Sequence, residues 1–297
     1  MGVRRRRINP TTTELSCAGV IKALADLISP YPLPKEVSCS YPMSENATRE
    51  LRDGPTDKNQ LVPDLLNLAR SICGTIGFIV THVRVDGYFA FCVCSSFMNE
   101  ASLTRRAFAH LLRLAWYLVN TGDLPLTLRN IGGSPGQAVG DVKAYVDTSH
   151  GNAAGGRSWG GFIILNTKGG GALAWKCRQQ PIVADSSGGQ ELVMASLAYK
   201  YIMAIRMLMA DLNLGAAAGP TPLYTDSKIV LDGLACDKLV KSSRWLAARY
   251  AMLRYGTENH LIDPRFIDAD DNVADLLTKP LTGETFLRHR RTALGIE

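Results

Sequence analysis

The stretch Val142-Lys-Ala-Tyr-Val-Asp-Thr-Ser149 decides how the second half of the chain folds. Its first five residues have the alternating apolar pattern of a short strand, and Asp147 follows at the strand end. Residues 160–165 and 172–177 repeat the strand pattern on either side of the glycine-rich turn Asn166-Thr-Lys-Gly-Gly-Gly171. Such a turn between two strand patterns predicts an antiparallel hairpin.

Helix and strand patterns alternate after this hairpin. The first is a helix at residues 191–212, followed by a strand that ends at 223–224 and a helix that begins within 227–234. A helix around Trp245, a strand at 261–267 and a helix at 272–277 complete the order. Strands interleaved with helices in this way predict an α/β fold.

The first half of the chain has a different pattern. In residues 104–120, apolar side chains recur at spacings of three and four opposite arginines, which predicts an amphipathic helix. Residues 61–72 and 88–98 are also interpreted as helices, although the second is apolar enough to be a buried strand. Four glycines and a proline within residues 131–140 indicate a linker. We therefore expect a mainly helical domain at residues 1–130, a linker at 131–140 and an α/β domain at 141–297.

Composition supports a folded chain of about two domains. The 297 residues are 46% hydrophobic and 20% charged, which argues against a wholly disordered protein. The seven cysteines are odd in number and never spaced C-x-x-C, so reduced thiols in an intracellular protein are expected rather than a disulfide scaffold or a zinc site. The formal net charge of +6 hints at a polyanionic partner.

We find neither a continuous apolar run long enough to span a membrane nor a secretion signal in the sequence. No continuous apolar run reaches the roughly 18 residues of a membrane span. Residues 1–10 lack the apolar core of a signal peptide. We therefore expect no membrane partner and no secretion.

Four acidic residues occupy positions where strands meet loops or helices. Asp147 ends the first strand, Glu191 opens the long helix, Asp226 ends the fourth strand, and Asp275 lies in the final helical segment. If the first and fourth strands are neighbours, Asp147 and Asp226 meet at one edge of the sheet, with the other two acids nearby. Each acid alone has a plainer interpretation as a turn former or helix cap. The conjunction of all four indicates a cluster of carboxylates.

Such a cluster suits Mg²⁺, which prefers oxygen ligands and is commonly held by a few carboxylates together with substrate phosphate. Two ions about 4 Å apart can activate a water and stabilise the leaving oxygen of a phosphodiester. Without metal, like charges packed so closely should raise the pKa of at least one carboxyl.

The motifs around these acids resemble those of the ribonuclease H family. Asp147, the segment Glu191-Leu-Val-Met-Ala195 and the segment Leu223-Tyr-Thr-Asp-Ser-Lys-Ile-Val230 are similar to its first three carboxylate motifs. The segment Val273-Ala-Asp-Leu-Leu-Thr-Lys-Pro-Leu281 resembles the ending of copia-type retrotransposon polyproteins, and residues 173–187 resemble that group's segment before the catalytic glutamate.

The resemblance extends upstream of the linker. Residues 61–69, Arg84-Val-Asp86, residues 96–99 and the helix through residues 113–118 are similar in order to the stretch between the reverse transcriptase palm and ribonuclease H. The first 130 residues are thus interpreted as a region like the thumb and connection of a reverse transcriptase. No Tyr-x-Asp-Asp occurs in the chain, so polymerisation is not predicted.

The resemblance implies a mixed five-stranded sheet flanked by helices. It also implies Mg²⁺-dependent hydrolysis of the RNA strand of RNA/DNA hybrids during retrotransposon reverse transcription. Two Mg²⁺ ions, for which Mn²⁺ can substitute, would bind the carboxylates of Asp147, Glu191, Asp226 and Asp275. The products would carry 5′-phosphate and 3′-hydroxyl ends. The implied partners are the hybrid and an upstream polymerase part of the same polyprotein, in the cytoplasm within a virus-like particle, in the nucleus, or in both.

Two departures from the family pattern leave a second hypothesis open. Gly189 replaces the first glutamate of a family motif, and Trp245-Leu-Ala247 replaces a histidine-isoleucine-aspartate segment, so a loop histidine that aids product release has no obvious counterpart. The alternative is an inactive or repurposed retroelement remnant that binds nucleic acid without cutting it. A third hypothesis, an integrase-like nuclease of the same fold, is disfavoured by the Asp275 motif, since those enzymes typically use three carboxylates.

Other polar residues have plainer interpretations. His150, three residues after Asp147, and His260 are expected to be solvated or bonded to backbone. The run Arg4-Arg-Arg-Arg7 is either a disordered, solvated end or a nuclear-import or phosphate-contacting segment. Trp245, near Arg244 and Arg249, is either a core residue or a nucleic-acid contact.

Overall fold

A computed structural model describes most of the chain. The described residues are 2–33, 39–52, 56, 59–129, 142–149, 157–167, 169–180, 187–212, 219–236 and 246–296. The predicted linker, His150, Arg244 and Trp245 lie outside these ranges, so the predictions made for them and for the domain boundary stay predictions.

The first 130 residues combine helices with a small antiparallel sheet. The helices are α1 (Ala18–Ile28), α2 (Ala47–Arg52), α3 (Leu66–His82), α4 (Tyr88–Ser95) and α5 (Arg105–Asn120). Short 3₁₀ turns, Pro63–Leu65 and Val85–Gly87, precede α3 and α4. The sheet has the strand order β1 (Arg4–Asn9), β2 (Thr12–Ser16) and β3 (Leu126–Arg129).

Helix α5 matches the sequence prediction, and its start has a local cause. The Thr104 side chain accepts a hydrogen bond from the Ala107 backbone N–H at 3.2 Å, which caps the helix. The interpretation of residues 88–98 as helical is also correct for α4.

The small sheet was not predicted from the sequence. The run Arg4–Arg7, for which a disordered end was one of two open interpretations, lies within the exposed strand β1, where Arg6 donates to Glu14 of β2 at 2.7 Å. Arg6 and Glu14 are directly opposite each other in the register. Four consecutive arginines lack the apolar alternation that would indicate a strand. The sheet also depends on β3, which pairs with β2 from more than 100 residues away along the chain.

The second half of the chain forms a mixed five-stranded sheet. Its strands are β4 (Val142–Ser149), β5 (Trp159–Asn166), β6 (Ala172–Gln179), β7 (Thr221–Thr225) and β8 (Ile262–Phe266), in the order β6-β5-β4-β7-β8. Strands β4, β5 and β6 pair antiparallel, whereas β7 pairs parallel to both β4 and β8. The predicted hairpin joins β5 to β6, and its Gly169, Gly170 and Gly171 all have positive φ angles.

Helices cover one face of this sheet. Helix α6 (Ser187–Asp211) crosses β4 and β5, with α7 (Lys228–Ala235) and α8 (Ala247–Glu258) packed beside it. The core on this face is formed by side chains that alternate along the strands, Ala144 and Val146 of β4 with Phe162 and Ile164 of β5.

The first half of the chain packs against the opposite face. Trp159 and Ile163 of β5 belong to the same cluster of buried apolar residues as α3, α4 and α5. The Trp175 indole N–H of β6 donates to the Val80 carbonyl at 3.0 Å, and the Phe89 ring meets Trp159 edge-on. Helix α9 (Gly283–Leu294) and a 3₁₀ helix, Val273–Leu277, complete this face. Burial on both faces explains why β5 has no polar side chain before its last residue, Asn166.

Two helical segments are long and apolar enough to cross a membrane by length and composition alone. They are Pro63–His82, which includes α3, and α6. Polar residues interrupt both segments, so neither is an unbroken apolar run of that length. Ile72 and Ile76 of α3, and Leu192 and Ile202 of α6, are fully buried in the two cores. Packing inside the fold therefore accounts for the buried part of the two apolar windows, which is 39% in Pro63–His82 and 50% in α6.

A glycine of β5 allows the 3₁₀ helix to approach the sheet. Gly161 lies directly opposite Asp147 of β4. A Cβ atom on Gly161 would lie 2.6 Å from the Leu277 Cβ, which is closer than two such atoms can approach. Glycine at this position therefore lets the 3₁₀ helix, with its Asp275, lie against the strand that holds Asp147.

Candidate metal centre

Three of the four predicted acids meet at one edge of the sheet. Ligand oxygens of Asp147, Glu191 and Asp226 all lie within 4.8 Å of one another. The cluster forms because β4 and β7 are parallel neighbours, so that Asp147 and Asp226, the residue after β7, reach the same edge. Glu191 faces them from the second turn of α6, which begins at Ser187 rather than at Glu191. Asp147 lies within β4 rather than at its end, since pairing with β5 continues to Ser149.

The fourth acid, Asp275, lies beside this group but is bonded differently. Its Oδ1 atom is 2.7 Å from the Lys279 ammonium, which is also 3.5 Å from Oδ1 of Asp147. Burial, then the charge of Asp147, raises the pKa of Asp275 to about 7 despite the nearby lysine. Asp147 thus belongs to the three-carboxylate group and also contacts the Asp275–Lys279 pair.

Two hydroxyl groups orient the carboxylates. Thr148 Oγ1 donates to Glu191 Oε1 at 2.6 Å, and Thr278 Oγ1 donates to Asp147 Oδ2. Asn272, fully buried, donates to the Val146 carbonyl at 2.9 Å and accepts from the Ala274 N–H, which anchors the 3₁₀ helix to β4. No role in the site was predicted from the sequence for Thr148, Asn272, Thr278 or Lys279. The available signal was their position within four residues of Asp147 or Asp275.

The second oxygen of Glu191 is buried without a hydrogen-bond donor. Glu191 is only 4% exposed and Asp147 only 1%. Among the described residues, Oε2 of Glu191 has no hydrogen-bond partner. A buried carboxylate oxygen without a partner costs free energy unless a cation or proton neutralises it.

The electrostatics of the cluster favour binding of a cation. Burial, then the charge of Asp147, raises the pKa of Glu191 well above its ordinary value. The same two causes raise the pKa of Asp226, which is less buried. Carboxylates that resist ionisation next to one another are stabilised in the charged form when a divalent ion neutralises them. The all-oxygen donor set fits Mg²⁺ or Mn²⁺.

His260, which was expected to be solvated or bonded to backbone, does not join this site. His260 lies in the exposed turn between α8 and β8, with a positive φ of 53°. His150 lies outside the part of the chain that the structure describes.

The mixed five-stranded sheet, in the order β6-β5-β4-β7-β8 with flanking helices, is the architecture that the ribonuclease H resemblance predicted, so the predicted fold class is confirmed. The central pair of strands carries two acids at one edge, and the helix after the hairpin carries the third. The small sheet and the helices of the first half form an additional region packed on this fold.

Comparison with known proteins identifies neighbours among solved structures, whereas no family model matches the chain. The N-terminal RNase H domain of a Mycobacterium tuberculosis protein is 14% identical over 46% of this chain and 90% of that domain, with a TM-score of 0.36. A ribonuclease H1 isolated from compost, in complex with an RNA/DNA hybrid, is 17% identical over 46% of this chain and 94% of its own, with a TM-score of 0.35. A foamy viral protease-reverse transcriptase in complex with an RNA/DNA hybrid is 13% identical over 81% of this chain and 28% of the viral enzyme, with a TM-score of 0.38.

Proposed function

We propose that the chain is a divalent-metal-dependent ribonuclease H that hydrolyses the RNA strand of RNA/DNA hybrids. The carboxylate group of Asp147, Glu191 and Asp226, with its partnerless Glu191 oxygen, is the observation that carries this proposal. The ribonuclease H-like fold and the sequence motifs around the acids favour this substrate among phosphodiesters. The ion is proposed to be Mg²⁺, with Mn²⁺ as a substitute.

The chain's own residues would hold the cations and orient them. Asp147, Glu191 and Asp226 would supply the oxygen ligands of one ion. Asp147 and Asp275, which contact each other, would supply those of a second ion. Thr148 and Thr278 fix the rotation of the Glu191 and Asp147 carboxylates by donating to one oxygen of each. Two divalent ions bound there would supply an activated water and would stabilise the leaving 3′-oxygen.

Activity on hybrids is the direct test of this function. With Mg²⁺, the purified protein is expected to cleave the labelled RNA strand of a hybrid, leaving 5′-phosphate ends, and to leave DNA duplex intact. Asp226→Asn is expected to lower the rate at least about 100-fold, because the amide loses the negative charge that binds the cation. Asp232→Asn, an exposed aspartate of α7, is the matched control and should cut at the parent rate. Equal cleavage by Asp226→Asn and the parent would show that the function is wrong.

A basic groove is proposed to contact the phosphate backbone of the substrate. Arg178 of β6, Lys200 of α6 and Arg249 of α8 line a groove of about 340 Å³, whose described lining contains no acidic residue. The Nε of Arg178 is buried and has no hydrogen-bond partner within the described ranges. Cations grouped in this way would bind the phosphates of a nucleic acid without reading its sequence.

Neutralising the groove is expected to weaken hybrid binding in a salt-dependent way. The triple variant combines Arg178→Gln, Lys200→Gln and Arg249→Gln. The slope of log affinity against log salt concentration should become shallower by about 2, because each lost phosphate contact removes up to roughly 0.9 from its magnitude. Fluorescence anisotropy with a labelled hybrid in Ca²⁺ measures this slope. Lys22→Gln, at an exposed position of α1, is the control and should keep the parent slope. A triple variant with the parent slope would remove the groove from the binding surface.

The cellular context is also a proposal. We infer that the chain derives from the Pol polyprotein of a copia-type retrotransposon, with an upstream polymerase part as its partner. An intracellular location, in cytoplasmic particles, in the nucleus, or in both, accompanies that origin. The resemblance at residues 273–281 supports this inference, and seven free thiols fit a reducing compartment.

The alternative function is binding of nucleic acid without cleavage. The observation in its favour is Gly189, which stands where the family motif has a glutamate, on the first turn of α6. Salt-sensitive retention of a hybrid with no Mg²⁺-dependent cleavage would support this alternative and exclude the nuclease.

A further inference from the structure

Lys279 places a positive charge inside the candidate metal centre. It follows the 3₁₀ helix Val273–Leu277, and its side chain is 33% exposed. Its ammonium is 2.7 Å from Asp275 Oδ1 and 3.5 Å from Asp147 Oδ1. Among the described residues, Lys279 is the cation that forms ion pairs within the set of four acids, with Asp147 and Asp275.

The position of this ammonium divides the centre into two sides. The group of Asp147, Glu191 and Asp226 is on one side, and the partnerless oxygen of Glu191 belongs to it. On the other side, Asp147 and Asp275 share the lysine ammonium. A divalent ion bound between Asp147 and Asp275 would therefore meet a positive charge at contact distance, which is strongly unfavourable in a partly buried site.

We propose that Lys279 is a built-in counter-cation of the Asp147–Asp275 side, so that a first divalent ion binds beside it and a second binds only when its ammonium moves away. This inference rests on the proposed metal-dependent function and assigns a role to a residue outside the carboxylate set. A lysine suits the role because a compact charge on a flexible four-carbon stem can leave the site for solvent. The partly exposed position of its side chain leaves that path open.

The arrangement has two consequences for the protein. Without metal, Lys279 reduces the repulsion among the acids and keeps Asp275 next to Asp147. With metal, it makes occupancy of the second site depend on a higher ion concentration than occupancy of the first. Lys279 is thus a positioning residue that sets the metal threshold of the centre.

Direct binding of Mn²⁺ tests the proposal without any substrate. Electron paramagnetic resonance counts free Mn²⁺ during titration of the whole chain. The parent is expected to bind one ion tightly and a second at least about tenfold more weakly. In Lys279→Met, of similar length and no charge, the second ion should bind at least about tenfold more tightly than in the parent, which corresponds to about 1.4 kcal/mol.

Two further variants separate the effect of the Lys279 charge from other effects of substituting a lysine. Lys279→Arg keeps the charge and should keep the weak second site, whereas Lys22→Met removes an exposed lysine of α1 and should match the parent. Circular dichroism verifies that each variant is folded, and if Lys279→Met is not, the Lys279→Gln titration takes its place. An unchanged or weaker second site in the folded neutral variant would overturn the proposal, as would a second site in Lys279→Arg as tight as in Lys279→Met.

Hybrid cleavage separates this inference from the proposed function. If the Mn²⁺ isotherm shifts but neither protein cuts a hybrid, the role of Lys279 is supported and the nuclease function is wrong. If the parent cuts and the isotherm does not shift, the function is supported and the role of Lys279 is wrong.

Discussion

Glu191→Gln is expected to lower hybrid cleavage at least about 1000-fold and, at the same time, to stabilise the metal-free protein at alkaline pH. The loss of activity follows because the variant keeps the bond from Thr148 but has no negative charge for the cation. A 1000-fold loss corresponds to about 4 kcal/mol of transition-state stabilisation, which is within the range for a metal-binding carboxylate.

The gain in stability follows from the raised pKa of Glu191. A carboxyl whose pKa is higher in the folded protein than in the unfolded chain binds more protons when folded, so stability falls as pH rises through that interval. Asp275, with a pKa of about 7, contributes in the same direction. The melting temperature of the metal-free parent should therefore fall between about pH 5 and about pH 8, and that of Glu191→Gln should fall less.

Thermal melts in EDTA at the two pH values, together with cleavage assays in Mg²⁺, measure both effects. Glu258→Gln changes an exposed glutamate at the end of α8 and should match the parent in each assay. Adding Mg²⁺ at the higher pH should raise the melting temperature of the parent and leave that of Glu191→Gln nearly unchanged. If Glu191→Gln melts below the parent at the higher pH, the electrostatic account of the site is incorrect.

Arg84→Met is expected to destabilise the fold by about 3–5 kcal/mol, because it leaves the buried carboxylate of Asp86 without its cation. Arg84 and Asp86 are 0% and 1% exposed. They form a bidentate ion pair, in which Arg84 Nε donates to Asp86 Oδ1 at 3.0 Å and Arg84 Nη2 donates to Asp86 Oδ2 at 2.7 Å. Arg84 also donates to the carbonyl and hydroxyl of Thr121, and Tyr117 donates to Asp86. Burial alone would raise the pKa of Asp86, but the charge of Arg84 lowers it below its ordinary value.

Urea unfolding followed by circular dichroism measures this loss of stability. Arg70→Met, an exposed arginine of α3, is the matched control and should change the free energy of unfolding by less than about 0.5 kcal/mol. The double variant Arg84→Met with Asp86→Leu should recover part of the loss, since it buries no unpaired charge. A single variant as stable as the control would contradict the assigned role of this ion pair.

The sequence predicted the elements that carry the three-carboxylate group. Strand alternation identified β5 and β6, and the acids after the strand patterns of β4 and β7 identified Asp147 and Asp226. These signals are local, so a single sequence shows them. Parallel pairing of β4 with β7 then follows from the α/β order and brings the two acids together.

Features that depend on distant pairing were not predictable in the same way. Strand β2 pairs with β3 across more than 100 residues, and neither has a strong local pattern. The contacts of Lys279 depend on how closely the 3₁₀ helix approaches β4, which Gly161 on a different strand allows. Sequence spacing could place Lys279 one helical turn after Asp275, but not beside Asp147.

The apolar face that β5 and β6 share with the first half of the chain also determines how the protein should respond to proteases. Trp159, Ile163 and Cys177 lie in that shared core, and the Trp175–Val80 hydrogen bond crosses it. A cut within residues 131–140 would sever the covalent connection but not these contacts. The two fragments would stay associated in solution, whereas residues 141–297 released alone would expose this apolar face to water and aggregate.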